Sequence, residues 1–195
     1  MASRKNSGDT TEWRIEIERK LKWLLLFRLI IIIILFGGVF FFFSHFPTLF
    51  ELITLYGAVT LGYLGELYYW KAKKREVSFR FLYAIQLSVE ILVEAAIVHY
   101  SGGEASILTF LFALTILSAA FVYRLLGTIM TATVAVAAYV AIVYLEFNGI
   151  LEPINVPSTE IIYSSSDAAF AVAYIQVCFL YVIAFFAGYM SQKIR

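Results

Sequence analysis

The stretch ILTFLFALTILSAAFVYRLLGTIMTATVAVAAYVAIVYLE, from Ile107 to Glu146, is almost unbrokenly apolar. As a single α-helix it would be about 60 Å long at about 1.5 Å per residue, about twice the hydrocarbon thickness of a bilayer. Its one interruption is YRLLG, Tyr123–Gly127. The reading adopted is two antiparallel helices of membrane-crossing length. They fold back through a tight turn, with Arg124 at the surface and Gly127 just after it.

Working outward, a run of about 20 mostly apolar residues is the mark of a span. This criterion divides the chain into six: Leu24–Phe43, Leu49–Trp70, Phe81–Tyr100, Ile107–Tyr123, Leu125–Glu146 and Ala168–Tyr189. The composition agrees. The 195-residue chain is 62% hydrophobic, with a mean hydropathy of +0.84, whereas soluble domains hold roughly 45–50% apolar residues. Cys178 is the single cysteine, so no disulfide framework exists within one chain; its expected role is that of a small packed side chain. The fold class read from this is all-α, a polytopic membrane protein.

Charge tests the span count. Six spans put the N-terminus, the loop KAKKREVSFR, Arg124 and the terminal QKIR on one side, and every Lys and Arg lies on that side or, for Arg28, about one turn inside it. The other side carries SHFPT, SGGEAS and the long loop from Phe147 to Asp167, none of which contains Lys or Arg. The positive-inside rule then places both termini in the cytoplasm. The expected organisation is a cytoplasmic tail and amphipathic helix over 1–23, a six-helix domain over 24–189, and the start of a cytoplasmic helix over 190–195. In the first part, Asp9 and Glu12 resemble a capping box, and Trp13, Ile17 and Leu21 line one face. The long basic leader, with no small-residue cleavage site after the first span, excludes a signal peptide.

The third span carries Gln86, Glu90 and Glu94 at i, i+4 and i+8, hence on one helix face. Glu90 falls near the midplane and Glu94 about 6 Å nearer the far surface. An ionised carboxylate at midplane costs at least about 2.5–3.5 kcal/mol, so the stripe faces protein and at least one carboxyl is protonated, paired or solvated. Three roles fit: glue between helices or protomers, recognition of a polar group on another transmembrane segment, and a proton or ion path. Arg28 and Glu66 lie at similar depth on the antiparallel first and second spans, where a salt bridge or separate snorkelling both fit. Ala58/Gly62 and Ala184/Gly188 have the spacing of close helix approach.

Catalytic motifs are absent from the sequence: there is no phosphate-binding loop, no zinc pattern and no Ser-His-Asp set at one depth. SGG, Ser101–Gly103, is expected to be the turn between the third and fourth spans. His45 and His99 share a level and are geometrically able to bridge a metal, with Glu104 and Glu51 as the neighbouring oxygens. Interfacial hydrogen bonding is the default expectation for both, and no metal or other cofactor is assigned.

With these residues in view, the chain resembles the N-terminal membrane domain of PilS-type sensor histidine kinases. The resemblance rests on ERKLKWLLLFRL entering the first span with Arg28, on QLSVEIL with Gln86 and Glu90, and on HYSGGEAS with Tyr100–Gly103. It extends in layout over essentially the whole chain. It implies a sensing and signal-transmitting domain of the bacterial inner membrane, working as a homodimer. It also implies a single-span partner such as pilin, detected through the Gln86–Glu94 stripe and relayed through the sixth span. No nucleic-acid partner is implied. In that family a PAS domain and a kinase core follow. The given chain stops at GYMSQKIR without either, so it is not expected to be an enzyme itself. The rival class is a small proton- or ion-coupled transporter, and a structural membrane subunit is a third reading.

Overall fold

The computed structural model describes residues 23, 26, 29–38, 47–73, 79–152 and 166–193. Residues 1–22 of the amphipathic segment expected over 1–23, and most of the loop between the fifth and sixth spans, lie outside this set. All regular structure among the described residues is helical. The helices are α1 (Leu29–Gly38), α2 (Pro47–Lys73), α3 (Phe79–Tyr100), α4 (Phe110–Val122), α5 (Leu125–Phe147) and α6 (Ser166–Lys193). Two short 3₁₀ turns, Gly103–Ala105 and Ile107–Thr109, join α3 to α4. Each helix coincides with one of the six expected apolar runs.

Three of them, α3, α5 and α6, are long and apolar enough to cross a membrane by length and composition. The shorter α4 is also almost wholly apolar, with Thr115 and Ser118 its only polar side chains. It is preceded by the 3₁₀ turns because Ser106 stops the chain in an extended conformation there and accepts the Leu108 N–H on its hydroxyl at 3.1 Å.

The break that decides the fold lies where YRLLG places it. Tyr123 and Arg124 are both extended, with ψ of 157° and 178°. The Tyr123 N–H closes α4 on the Ala119 carbonyl at 2.7 Å, and the Thr128 N–H opens α5 on the Arg124 carbonyl at 3.0 Å. Two extended residues are enough to reverse the chain. Gly127 is required at this corner because a β-carbon there would lie 2.5 Å from Cβ of Tyr123.

Helices α3 and α4 form the centre. On one side, α5 and α6 pack on them through small residues: Ala95, Ala113, Ala132, Ala135 and Ala184 are buried together around Phe112, Tyr139 and Leu180. On the other side, Ile32 of α1 and Ile53 and Tyr56 of α2 meet Ile97 and Leu111. Alanines let helix axes approach closely, which is how membrane helices gain packing when lipid tails remove the hydrophobic drive between them. The large apolar side chains of α6, such as Phe170, Ile175, Phe179, Val182 and Phe186, point outward instead. Of the two small-residue spacings, Ala184/Gly188 lies in the α5–α6 contact, with Gly188 against Leu125 and Thr128. Gly62 of the Ala58/Gly62 pair faces open space.

Candidate functional site

The Gln86–Glu90–Glu94 face of α3 turns inward. Gln86 is half-buried, while Glu90 and Glu94 are fully buried. Glu94 sits where α2, α3 and α4 meet. Its Oε1 accepts the Tyr56 hydroxyl of α2 at 2.8 Å and the Thr115 hydroxyl of α4 at 2.6 Å. One carboxyl oxygen therefore ties three helices together in the middle of an apolar bundle. Such a node holds the relative rotation of the helices, because turning any of them moves its hydroxyl or carboxyl away from the others. Tyr56 and Thr115 are the partners that the sequence reading did not supply.

A second polar node lies at the end of the bundle where α3 stops. Ser101, Gly102 and Gly103 form the expected turn. The Ser101 N–H bonds the Ile97 and Val98 carbonyls at 3.0 and 3.2 Å, and Gly102 and Gly103 have φ of 116° and 58°. Left-handed backbone at two successive residues is a glycine requirement. The Ser101 and Ser106 hydroxyls hydrogen-bond to each other across the turn.

This turn brings three ionisable groups together. His99, in the last turn of α3, places Nδ1 2.6 Å from Oε1 of Glu146, in the last turn of α5. Nδ1–H donates when that carboxyl is ionised. Gly103 lies directly under the Glu146 carboxyl, so that a β-carbon there would overlap it. Glu104 is buried and accepts the Ala173 N–H of α6 at 3.1 Å through Oε1. Burial pushes the Glu104 carboxyl from 4.5 up to about 7; the bond from Ala173 opposes this, and the charge of Glu146 adds to it. Tyr139 of α5, also fully buried, has its hydroxyl in the field of both carboxyls.

Glu104 belongs to the same cluster, but the group that binds the imidazole is Glu146, which the sequence reading took only as the end of the fifth span. His45 lies outside the described residues, as do Arg28 and the side chain of Glu66, and with them the candidate salt bridge. Among the described residues, no three His, Cys, Asp or Glu side chains are placed to hold a metal ion. Cys178 is exposed on α6 rather than packed, because it lies on the outward face of that helix.

No match to this chain was found among family models, curated proteins or solved structures.

Proposed function

We propose that the chain is the membrane-embedded sensing and signal-transmitting domain of a PilS-type sensor histidine kinase. In this reading it sits in the bacterial inner membrane as a homodimer, with six spans and both termini in the cytoplasm. The basic loops, all on one side of a six-span arrangement, support that orientation.

The observation that carries the reading is the pair of hydrogen-bonded ties from the polar face of α3 to the last helix. Glu94 holds α2 and α4. Helix α4 in turn accepts the Ser191 hydroxyl of α6 on the Ala120 carbonyl at 2.5 Å. A change in the rotation of α3 thus has a physical route to the end of α6 that would lead into a cytoplasmic signalling helix. Two-state transmission of this kind requires a ligand that binds one arrangement better than the other. A single-span partner carrying a polar group within its apolar helix, such as pilin, has that property. It would touch the half-buried Gln86, while Glu90 and Glu94 act from inside the bundle as positioning residues.

The test has two parts. Reading the native gene beyond the codon for Arg195 should reveal a frame continuing into a PAS-like segment and a kinase core; a stop codon there refutes the kinase reading. In the full-length protein, Glu90→Gln with Glu94→Gln should preserve membrane insertion and abolish the response to the pilin stimulus. A normal response from that double variant would overturn the role given to the stripe.

A further inference from the structure

The cluster at the α3–α4 turn has no part in the relay just described, and its chemistry points elsewhere. Two carboxyls, an imidazole and a phenol are held at one end of the bundle, close to the limit of the apolar region. Two buried polar atoms there, Glu104 Oε2 and the Tyr139 hydroxyl, have no hydrogen-bond partner among the described residues. A buried carboxyl oxygen without a donor is an expensive arrangement when ionised. It costs far less when the oxygen carries a proton.

Every element packed against Glu104 contributes to this balance. Helix α3 supplies His99, α5 supplies Glu146 and Tyr139, and α6 supplies the Ala173 N–H, with the exposed Asp167 at its start. Helix α4 carries no ionisable side chain, and the turn itself adds only the hydroxyls of Ser101, Ser106 and Thr109. Among the described residues, the turn itself holds no Lys or Arg, and the imidazole of His99 is engaged by Glu146.

We propose that this cluster is a proton-binding site, in which Glu104 takes up the proton and the occupancy of the site sets how firmly α6 is held against the α3–α4 turn. The Ala173 bond is the mechanical link. Residue 173 lies in the third turn of α6, so a carboxyl bonded there grips the helix along its length rather than at its frayed end. With Glu104 protonated, the carboxyl sits buried at low cost and α6 stays docked. With Glu104 ionised, its charge opposes Glu146 in a dry site, and the lower-energy course is for α6 to part from the turn and let water reach the carboxyl. On the topology proposed above, the site faces the periplasm and reports its acidity; the inference itself does not depend on the kinase reading.

The sign follows from linkage. The docked state binds the proton more tightly than the open state, with Glu104 at about 7 rather than 4.5. Docking is therefore strongest below about pH 4.5, weakens as pH rises from there, and levels off above about 7.

The test is hydrogen exchange of the intact chain in lipid nanodiscs, corrected for intrinsic rates, across pH 4 to 9 (the range about those two values). Protection of the α6 amides around Ala173 should fall by at least about tenfold between the acidic and alkaline limits. Glu104→Gln, which cannot ionise, should hold those amides at the protected limit at every pH. His99→Gln should displace the curve without removing it. Protection that varies less than about twofold over the range would overturn the proposal. So would a transition that survives Glu104→Gln and disappears in His99→Gln. Should Glu104→Gln fail to fold, the protonated-carboxyl infrared band of the Glu90→Gln, Glu94→Gln double variant, which lacks the other buried α3 carboxyls, provides the same decision. A buried carboxyl losing its proton near pH 7 is expected, and titration of all carboxyls in the ordinary acidic range would refute it.

Discussion

The three-helix node at Glu94 makes a quantitative prediction, because two donors converge on one acceptor atom. Thr115→Val and Tyr56→Phe each remove a hydroxyl with little change of shape, so neither opens a large cavity. Hydrogen bonds between membrane helices average about 0.6 kcal/mol and reach about 1.7 kcal/mol, because an unfolded chain in lipid also finds partners. Each single variant should therefore lose about 1 kcal/mol, the remaining donor at 2.8 or 2.6 Å continuing to serve Oε1. Removing both takes the two donors from a buried carboxyl oxygen together, and the cost of such a loss is about 1–3 kcal/mol beyond an ordinary bond. The double variant should exceed the sum of the singles by about 1 kcal/mol. For a chain of this size each kcal/mol is worth about 2–4 °C in Tm. Thermal unfolding in bicelles should then show drops of about 3 °C for the singles and about 9 °C for the pair. Additivity within about 0.3 kcal/mol would mean that Tyr56 and Thr115 do not share the Glu94 oxygen, and the rotational tie between α2, α3 and α4 would have to be abandoned.

Two glycine substitutions test the packing that surrounds the sites. Gly103→Ala meets both a left-handed backbone, with φ of 58°, and the Glu146 carboxyl, whereas Gly149, with φ of 68°, faces open space. Gly149→Ala should cost about 1 kcal/mol for the backbone alone, and Gly103→Ala about 2–4 kcal/mol with displacement of Glu146 from His99; equal Tm values for the two variants would remove the close contact between the turn and Glu146. Gly188→Leu would drive a side chain into Leu125, whose Cδ1 and Cα lie 2.8 and 3.0 Å from the position of a β-carbon. It should separate α5 from α6 and lower Tm by several degrees, while Gly62→Leu, with nothing nearby, should leave it unchanged within about 1 °C.

How far the sequence determines these features depends on the distance over which each one acts. Helix bounds are local. A long apolar run can satisfy its backbone in lipid only as a helix, and breaks such as YRLLG follow from length and from the glycine at the corner. The inward direction of Gln86, Glu90 and Glu94 was legible for the same reason: three polar side chains at i, i+4 and i+8 must share a face, and that face cannot meet lipid. Tyr56 and Thr115 were not legible. Each belongs to a helix whose rotation is fixed only by packing, and each is one of several hydroxyl-bearing residues on α2 and α4. Small-residue spacings show the same limit. Ala58/Gly62 and Ala184/Gly188 are equivalent as strings, yet among the described residues only the second pair meets a neighbouring helix, because the partner that fills the groove comes from another part of the chain.

Glu146 marks the boundary between the two cases. In isolation it reads as a polar residue closing an apolar span, where headgroups or water would receive it. The alternation of spans, however, brings the end of the third helix and the end of the fifth to the same level, so His99 and Glu146 are confined to one layer before any packing is known. Within such a layer the choice among neighbours is small, and chemistry narrows it further. A carboxyl covered by the bundle needs a donor, and the imidazole in the last turn of α3 is the cationic candidate at that depth. Glu104, on the turn that follows α3, lies in the same layer, and its burial, with the charge of Glu146 adding to it, is what raises its proton affinity. Sorting polar residues by depth as well as by helix face therefore recovers a cluster that face periodicity alone divides between two helices and a turn.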